Sequence, residues 1–332
     1  MKDHLSDYRN KNVLITGGAG AIGSNLTSAL VTAGASKITV LDDLSSGVRW
    51  NVPDVSNVIF IQGSILDGEA LKRVFSAGPD YVFHLAAHFA NQNSVDNPET
   101  DLSVNGLGTL KLLEYSRLAR VAKFVFASSG CSVYGSEAPL PLKEDFVSIN
   151  LDTPYQITKL LGELYCNFFF NFYKLPVVRA RFFNVYGPGE VPGRYRNVIP
   201  NFIYWARHKK TLPITGTGEE TRDFTFVGDI VDGILCCGAV PEAVGDAFNL
   251  ASETETRVID LAQKINKLCD SPAGVQFTAR RDWDKITRRR ASIAKARKVL
   301  GYEPKTDITK GLETAYAWFA QNWDNIQASA RF

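Results

Sequence analysis

The sequence has few cysteines, and their spacing suits neither a metal site nor a disulfide framework. There are five, an odd number, and none are paired at zinc-binding spacing: Cys131, Cys166, Cys236, Cys237 and Cys269. This usage favours reduced thiols and a cytoplasmic protein. His84 and His88 have no third ligand nearby in the sequence, so we predict no metal site.

Charge bias and long apolar runs are also lacking. The formal net charge is +2, which gives no electrostatic case for nucleic acid or an anionic membrane as partner. No apolar run approaches the roughly 20 residues of a membrane span, and the charged segment Met1–Asp7 does not resemble a signal peptide. No repeat or low-complexity linker interrupts the chain. With 332 residues, 45% of them hydrophobic, the composition is that of a globular enzyme with two lobes.

Short apolar segments alternate with helical patterns through the first half of the chain. The strand-like segments are Val13–Ile15, Ile38–Leu41, Val58–Gln62, Tyr81–Leu85 and Phe124–Ala127. Helical patterns cover 24–33, 68–76 and 98–120, and later 155–173, 229–239, 258–268, 294–300 and 312–323. Buried strands separated by helices predict an α/β fold with a doubly wound parallel sheet.

A glycine loop with Gly17, Gly20 and Gly23 follows the first apolar segment and leads into a helical pattern. Glycines there let the backbone approach a dinucleotide pyrophosphate, which the helix N-terminus then stabilises. Asp42 ends the second strand-like segment. A carboxylate at that point accepts hydrogen bonds from ribose hydroxyls and repels a 2′-phosphate, which favours NAD over NADP. Alternatively, Asp42 only opens the turn that follows it.

Tyr155 and Lys159 lie four residues apart, so on a helix they share one face. The ammonium group can lower the pKa of the phenol and make it a usable base. Together with the glycine loop, the pair indicates redox chemistry on an alcohol.

Landmarks of a known family extend over nearly the whole chain. Besides the glycine loop and Tyr155–Lys159, they are His84–Ala87, Asn105, Ser128–Ser129, Val133–Gly135, Arg181–Gly189, Gly216–Phe224 and Lys295–Pro304. The chain resembles the extended short-chain dehydrogenase/reductase superfamily and, within it, the NAD-dependent epimerase/dehydratase family, which acts on nucleotide-activated sugars. The resemblance implies a Rossmann-like NAD-binding domain over 1–183, to which 225–252 returns. A smaller α/β substrate lobe would comprise 184–224 and 253–330.

The resemblance also implies the site residues. For NAD they are Gly17, Gly20, Ala21, Ile22, Gly23, Asp42, Ser64, Ile65, Leu85, Ala86, Ala87, Asn105, Tyr155 and Lys159. Ser64 stands where many relatives carry an aspartate. For the substrate they are Ser129, Asn184, Asn197, Arg222, Arg281 and Asp284. The basic run Arg280–Arg290 fits either a surface loop or an anionic ligand site.

In the family, Tyr155 would take a proton from a sugar hydroxyl with Lys159 beside it, and a hydroxyl side chain would bridge tyrosine and substrate. Counting along the strand places that hydroxyl at Ser129. Counting back from Val133–Gly135 reaches Gly130, which has no side chain, so Ser132 stays as the alternative. Helices 98–120 and 155–173 carry apolar stripes, and the resemblance implies that they pair two subunits into a homodimer.

The turn Gly130–Ser132 contains no carboxylate. The family's dehydratases and decarboxylases place one there, so its absence favours a 4-epimerase acting on a UDP-hexose or UDP-N-acetylhexosamine through a 4-keto intermediate. The amide-rich loop 88–95 favours a neutral sugar over a uronic acid. A 4,6-dehydratase, a keto-sugar reductase and an NAD-binding regulator without activity remain alternatives. Cys131 fits a buried thiol or, less well in register, the cysteine of a 3,5-epimerase.

Overall fold

A computed structural model of the chain describes residues 4–332. The first three residues, on which the interpretation of Met1–Asp7 partly rests, lie outside the described residues. The strands are β1 (Asn12–Thr16), β2 (Lys37–Asp42), β3 (Val58–Gln62), β4 (Tyr81–His84), β5 (Lys123–Ser129), β6 (Val177–Phe182), β7 (Asn184–Tyr186), β8 (Leu212–Thr215), β9 (Thr221–Phe226), β10 (Ala247–Leu250), β11 (Glu255–Arg257) and β12 (Val275–Thr278).

The helices are α1 (Ala21–Thr32), α2 (Gly68–Phe75), α3 (Asn91–Asp96), α4 (Pro98–Asp101), α5 (Gly108–Ala119), α6 (Gly130–Val133), α7 (Pro154–Tyr173), α8 (Val198–Arg207), α9 (Val227–Ala239), α10 (Val258–Leu268), α11 (Ala294–Leu300), α12 (Ile308–Gln321) and α13 (Trp323–Ser329). A π-helical segment, Leu102–Leu107, joins α4 to α5. Short 3₁₀ turns cover His4–Tyr8, Arg49–Asn51 and Pro241–Ala243. Among residues 4–332, no helix is both long and apolar enough to cross a membrane.

The central sheet has seven strands in the order β10-β6-β5-β4-β1-β2-β3, and every neighbouring pair in it is parallel. Apolar side chains cover both of its faces. Leu14 and Phe124 pack in one core cluster, whereas Val13 and Val125 pack in the other. Because both faces are buried, the strands are nearly continuous apolar runs. The predicted Rossmann-like α/β fold is confirmed.

β1 pairs with β2 on one side and with β4 on the other. The strand order therefore reverses beside β1, and a crevice opens there at the carboxyl ends of the strands. In open α/β sheets this is the place where ligands bind.

The second half of the chain contributes to both lobes. β7, β9 and β11 form a three-stranded sheet, and β8 pairs with β12. These strands pack with α8, α10 and α12 around a separate apolar cluster that includes Tyr186, Phe202 and Leu261. In contrast, Ile230 and Ile234 of α9 pack into the core of the central sheet, and β10 pairs with β6. These contacts support the predicted return of 225–252 to the first domain. The domain boundaries themselves stay a prediction.

Candidate active site

One large cavity, with a volume of about 750 Å³, lies between the carboxyl ends of the central strands and the second lobe. The predicted site residues that line it are Gly17, Gly20, Ala21, Ile22, Gly23, Asp42, Ile65, Leu85, Ala86, Ala87, Ser129, Tyr155, Lys159, Asn184, Asn197, Arg222, Arg281 and Asp284. Ser64 and Asn105 are not part of its surface. The fold thus brings nearly all of the predicted residues to one space.

The glycine loop forms one end of the cavity. Gly17 has φ +73°, and a Cβ there would lie 2.6 Å from the Ala86 nitrogen, while a Cβ on Gly23 would lie 2.4 Å from the Gly17 oxygen. Both positions therefore require glycine. At Gly20 a Cβ would meet only the Gly17 oxygen, at 3.4 Å, so it would project into open space. Gly20 caps α1 without a side-chain hydrogen bond, which leaves the first amides of that helix to an anion. This cradle fits the pyrophosphate of NAD.

Asp42 lies at the end of β2 and joins the glycine loop to the turn that follows the strand. Its Oδ2 accepts a hydrogen bond from the Ala19 amide at 2.9 Å, and its Oδ1 accepts one from the Leu44 amide at 2.8 Å. Burial raises the pKa of this carboxyl, and the two amides lower it. Each oxygen keeps a further lone pair. The carboxylate can therefore support the turn and still accept a hydrogen bond from a ribose hydroxyl in the cavity.

Ser64 and Asn105 hydrogen-bond within the protein next to the cavity lining. Ser64 Oγ accepts a hydrogen bond from the Leu66 amide at 3.2 Å. Asn105 is buried, accepts a hydrogen bond from the His88 amide at 2.8 Å and donates to the Asp101 carboxylate at 2.7 Å. Asn105 thereby holds the wall segment that contains His88. Direct contact of these two side chains with the cofactor stays a prediction.

Tyr155 projects into the cavity from the first turn of α7. Pro154 starts this helix, and the Thr153 side chain accepts a hydrogen bond from the Gln156 amide, so residue type and capping fix where the helix begins. The Tyr155 amide donates to Ser94 Oγ at 3.0 Å. The Tyr155 ring is 7% exposed and meets the Phe89 ring edge-on at 5.8 Å between centroids. The phenol is thus rigidly placed.

Lys159 lies one helical turn further along α7. Its Nζ donates a hydrogen bond to the Ala127 carbonyl at 2.9 Å and lies 5.6 Å from the centroid of the Tyr155 ring. Burial lowers the pKa of Lys159 to about 8, although the carboxylate of Asp101 opposes this shift. Burial raises the pKa of Tyr155, and Asp101 and Cys131 raise it further. The phenol is therefore neutral in the protein alone, and positive charge beside it favours its ionisation.

Two serines of the same cavity are candidate hydroxyl donors. Ser129 ends β5, Ser132 lies in α6, and both line the cavity. Ser132 Oγ donates a hydrogen bond to Ser129 Oγ at 2.9 Å. A Cβ on Gly130 would lie 2.2 Å from the Phe183 ring, so no hydroxyl side chain fits at that position. Because Ser129 accepts this hydrogen bond, its own hydroxyl hydrogen is free to donate towards the substrate.

We expect Ser129→Ala to lower kcat roughly 10-fold to 10³-fold, because it removes one oriented donor from the reacting oxygen. Ser132→Ala should lower kcat by a smaller factor, since the Ser132 side chain only orients Ser129. The measurement is turnover of the nucleotide sugar, with NAD content as the check on folding. A larger loss in Ser132→Ala than in Ser129→Ala would reassign the donor to Ser132.

The predicted substrate residues other than Ser129 also line the cavity. Arg222 Nη2 lies 3.5 Å from an Asp284 oxygen, and Asn197 donates to Glu190 Oε1 at 2.8 Å. Asn184 Oδ1 accepts a hydrogen bond from the Cys131 thiol at 3.3 Å. Arg281 is an exposed residue of the cavity lining. Arginine forks suit phosphate oxygens, so the cavity can bind a diphosphate.

Sequence reasoning missed Arg289, which also lines the cavity. It is 3% exposed, and its Nη2 donates to the Cys131 carbonyl at 3.0 Å. Its neighbour Arg288 is exposed and pairs with Glu255 at 2.6 Å. The run Arg280–Arg290 therefore contains both surface and cavity residues. Three consecutive arginines give no sequence signal for which one turns inward.

Cys131 is one of five free cysteines. Burial raises the pKa of its thiol, and the thiol is engaged with Asn184. A neutral, hydrogen-bonded thiol is a weak acid–base group. These contacts favour the structural interpretation of Cys131 over a role as a 3,5-epimerase acid.

Residues 13–251 match the sequence model of the NAD dependent epimerase/dehydratase family. The chain belongs to this family. The structure of epimerase Mth375 from Methanothermobacter thermautotrophicus is 59% identical, with a TM-score of 0.98, and the match covers 99% of this chain and 98% of that one. A UDP-glucose 4-epimerase of Mycolicibacterium smegmatis is 36% identical over 92% of this chain and 97% of its own length.

A third similar protein carries ligands. The Bordetella bronchiseptica enzyme WbmF, solved in complex with NAD+ and UDP, is 38% identical with a TM-score of 0.86, and the match covers 98% of this chain and 96% of that one. Family membership, the glycine cradle and Asp42 agree on the cofactor, which is NAD. The predicted family resemblance is confirmed.

Proposed function

We propose that this protein is an NAD-dependent 4-epimerase of a UDP-hexose or UDP-N-acetylhexosamine. One observation carries the proposal: Tyr155, Lys159 and Ser129 meet in a cavity whose turn Gly130–Ser132 offers no carboxylate. Such a site can remove and restore a proton on one hydroxyl group, and the turn supplies no acid to expel a second one. NAD, held by the glycine cradle and Asp42, would supply a hydride acceptor for C4 of the sugar that can return the hydrogen to either face.

In the proposed mechanism Tyr155 takes the proton of the 4-hydroxyl group. Lys159, at 5.6 Å from the Tyr155 ring, supplies positive charge that favours the phenolate. Ser129 donates a hydrogen bond to the same sugar oxygen and stabilises the charge that develops on it. Reversal of these steps, after the 4-keto sugar has turned in the cavity, gives the epimer.

Among the described residues, five carboxylates line the cavity outside the turn Gly130–Ser132: Asp42, Asp43, Glu190, Glu220 and Asp284. Asp42 and Asp43 accept hydrogen bonds from the Ala19 and Ser45 amides, and Glu220 accepts one from the Gly218 amide. Asp284 lies beside Arg222. Glu190 Oε1 accepts a hydrogen bond from Asn197, while its Oε2 has no hydrogen-bond partner in the part of the chain that the structure describes. None of these five is in the turn that the family's dehydratases use. This distribution supports epimerisation over elimination of water.

Arg222, Arg281, Asn184, Asn197 and Asp284 are our proposed residues for the diphosphate and nucleoside. The name of the M. smegmatis relative, a UDP-glucose 4-epimerase, and the UDP bound to WbmF support uridine as the base. Reduced thiols and cytoplasmic nucleotide sugars agree with a cytoplasmic enzyme.

Cofactor retention tests the proposal, because epimerisation consumes no net redox equivalents. We expect the purified protein to contain NAD and to convert UDP-glucose or UDP-N-acetylglucosamine into its 4-epimer with no added cofactor. Product NMR and absorbance at the NADH band are the measurements. Steady consumption of NADH or NADPH matched to product would indicate a reductase, and accumulation of a 4-keto-6-deoxy sugar would indicate a dehydratase. If the protein contains NAD but converts no nucleotide sugar, the result would support the alternative of an NAD-binding regulator without activity.

We further propose that α5 and α7 pair two subunits. Leu118 is 67% exposed, Leu164 56%, Phe168 48% and Phe172 67%, and the Phe168 and Phe172 rings stack at 5.5 Å between centroids. An apolar stripe of this size on two neighbouring helices is typical of a protein interface. Two copies of each helix would form a four-helix bundle around a two-fold axis.

We expect sedimentation to give a dimer at micromolar concentration and Phe172→Asp to give a monomer, because a carboxylate would be buried at the interface. Phe277→Asp is the matched control: Phe277 is 54% exposed on β12, outside this stripe, and its variant should stay dimeric. A monomeric wild-type protein would contradict the proposed interface.

A further inference from the structure

Arg289 is a buried cation that the proposed mechanism does not use. Its guanidinium group has five N–H donors, and one of them is satisfied by the Cys131 carbonyl at 3.0 Å. Among residues 4–332, no carboxylate forms an ion pair with it; the nearby Asp284 lies beside Arg222 and Arg280 instead. A buried charge without a partner costs several kcal/mol, so the site retains Arg289 at a cost to stability.

The contacts of Cys131 place Arg289 along the cavity. The Cys131 carbonyl accepts a hydrogen bond from Arg289, and the Cys131 thiol donates one to Asn184. Cys131 lies two residues after Ser129, the candidate hydroxyl donor, in the same turn. Arg289 thus lies beside the turn that follows the candidate hydroxyl donor, and its charge also interacts with that of Arg222, the residue proposed for the diphosphate. In a nucleotide sugar, the part between the reacting carbon and the diphosphate is the sugar ring with its substituents.

The groups that face Arg289 leave room for an anion. Cys131 of α6, Arg222 of β9, Asp284 and Tyr134 are the charged or titratable groups that act on it. Only Asp284 is a carboxylate. Burial lowers the pKa of Arg289, and Arg222 adds to this shift. An anionic ligand would therefore relieve two neighbouring cations at once, and a carboxylate matches the planar fork of a guanidinium group.

The amides of loop 88–95, which favour a neutral sugar on sequence grounds, are engaged within the protein. Asn91 accepts a hydrogen bond from Thr153 at 2.8 Å. Gln92 accepts one from Trp283 at 2.9 Å and donates to Asp96 at 2.9 Å. Asn93 donates to the Phe89 carbonyl at 2.8 Å. These amide groups stabilise the cavity wall. Because they already hydrogen-bond within the protein, their presence is weaker support for a neutral sugar.

We propose that Arg289 binds a carboxylate on the sugar, so that the substrate is a UDP-hexuronic acid or its N-acetylamino form. The inference rests on the proposed 4-epimerisation and narrows its substrate class. It departs from the neutral sugar that the loop sequence favours. The chemistry does not change: Tyr155 still takes the proton of the 4-hydroxyl group, and the carboxylate at C6 keeps its bond to C5 throughout.

A substrate panel with three proteins tests this inference. Wild type, Arg289→Gln and Arg288→Gln are assayed with UDP-glucuronic acid, UDP-N-acetylglucosaminuronic acid and UDP-glucose, and their affinity for UDP alone is measured by calorimetry. We expect wild type to prefer a uronic acid. Arg289→Gln should lose roughly 10²–10³-fold in kcat/KM for it, mainly through KM, with UDP affinity and NAD content unchanged. Arg288, exposed and paired with Glu255, provides the matched control and should change nothing.

The outcomes separate this inference from the proposed function. If Arg289→Gln weakens UDP as much as the uronic acid, Arg289 binds the diphosphate and the inference is overturned. Wild type preferring UDP-glucose would also overturn it, even if Arg289→Gln does not fold. A uronic acid converted with loss of CO₂ to a pentose would uphold carboxylate recognition but overturn epimerisation. Calorimetry, with Arg289→Lys as a second variant, can also show that the uronic acid binds through Arg289 without being turned over. That result would likewise uphold carboxylate recognition but overturn epimerisation.

Discussion

Tyr155→Phe is expected to lower kcat roughly 10²–10⁴-fold while the protein keeps its NAD, because the variant loses only the group that accepts the substrate proton. The ring itself should stay in place, since it packs edge-on against Phe89 at 5.8 Å and its amide donates to Ser94. Turnover is followed by product NMR. Bound NAD is measured by absorbance after the protein has been denatured.

Tyr165→Phe provides the matched control. Tyr165 lies on the same helix, α7, but packs with the apolar cluster behind the central sheet and does not line the cavity. We expect its variant to keep wild-type turnover. Near-normal activity in Tyr155→Phe would remove tyrosine as the base and overturn the mechanism. Equal losses in both variants would mean that the effect comes from damage to α7.

Five of the seven strands of the central sheet, β1 to β5, could be predicted because both of its faces are covered, whereas β6 and β10 were not predicted. Val58–Gln62 was predicted as it is found, and β1, β2 and β5 extend the predicted segments by one or two residues at their ends. Polar residues such as Asn12 and Ser129 end these strands, and periodicity cannot assign them. Sequence patterns also found α10 and α11 with their observed bounds. α12 begins at Ile308, before the predicted 312, because Asp307 caps it with two hydrogen bonds to backbone amides.

The candidate site was predictable where a residue type has a fixed chemical task. Glycines at a tight turn and a tyrosine one helical turn from a lysine carry their chemistry in the sequence itself. Arg289 could not be found in this way, because its role depends on which of three adjacent arginines the fold turns inward. Within the protein, Ser64 hydrogen-bonds to the Leu66 amide, and Asn105 to the His88 amide and the Asp101 carboxylate. Their contact with the cofactor, which the family resemblance implies, stays a prediction.

The buried ion pair between Arg181 and Glu163, behind the site, could not be predicted from the sequence either. Arg181 of β6 donates two hydrogen bonds of 2.9 Å to Glu163 of α7, from Nε to Oε1 and from Nη2 to Oε2. Ser128 of β5 donates a third to Glu163 at 2.5 Å. Both charged side chains are 2% exposed. The pair therefore fixes α7, which carries Tyr155 and Lys159, to two central strands.

Arg181→Met should lower the free energy of unfolding by about 3–5 kcal/mol at neutral pH, because it leaves the Glu163 carboxylate buried without a counter-charge. Denaturant unfolding followed by circular dichroism measures the loss. Arg179→Met is the control on the same strand. Arg179 is half-buried and donates to the carbonyls of Gly245 and Asp246, so its variant should lose no more than about 1–2 kcal/mol.

The pH dependence of this loss distinguishes an unpaired charge from simple loss of packing. In the wild-type protein burial alone would raise the pKa of Glu163, but Arg181 and Ser128 hold it below its ordinary value of 4.5. A depressed folded pKa contributes stability that is present above the unfolded pKa and lost as pH falls through the folded one. Without Arg181 the pKa of Glu163 rises, so the folded variant takes up a proton more readily than the unfolded chain does. The loss of unfolding free energy in Arg181→Met should therefore shrink as pH is lowered from neutrality towards 4.5. A loss that does not depend on pH would instead be assigned to packing.

The double variant Arg181→Met with Glu163→Leu should recover most of the stability at neutral pH, since it removes the buried charge together with its partner.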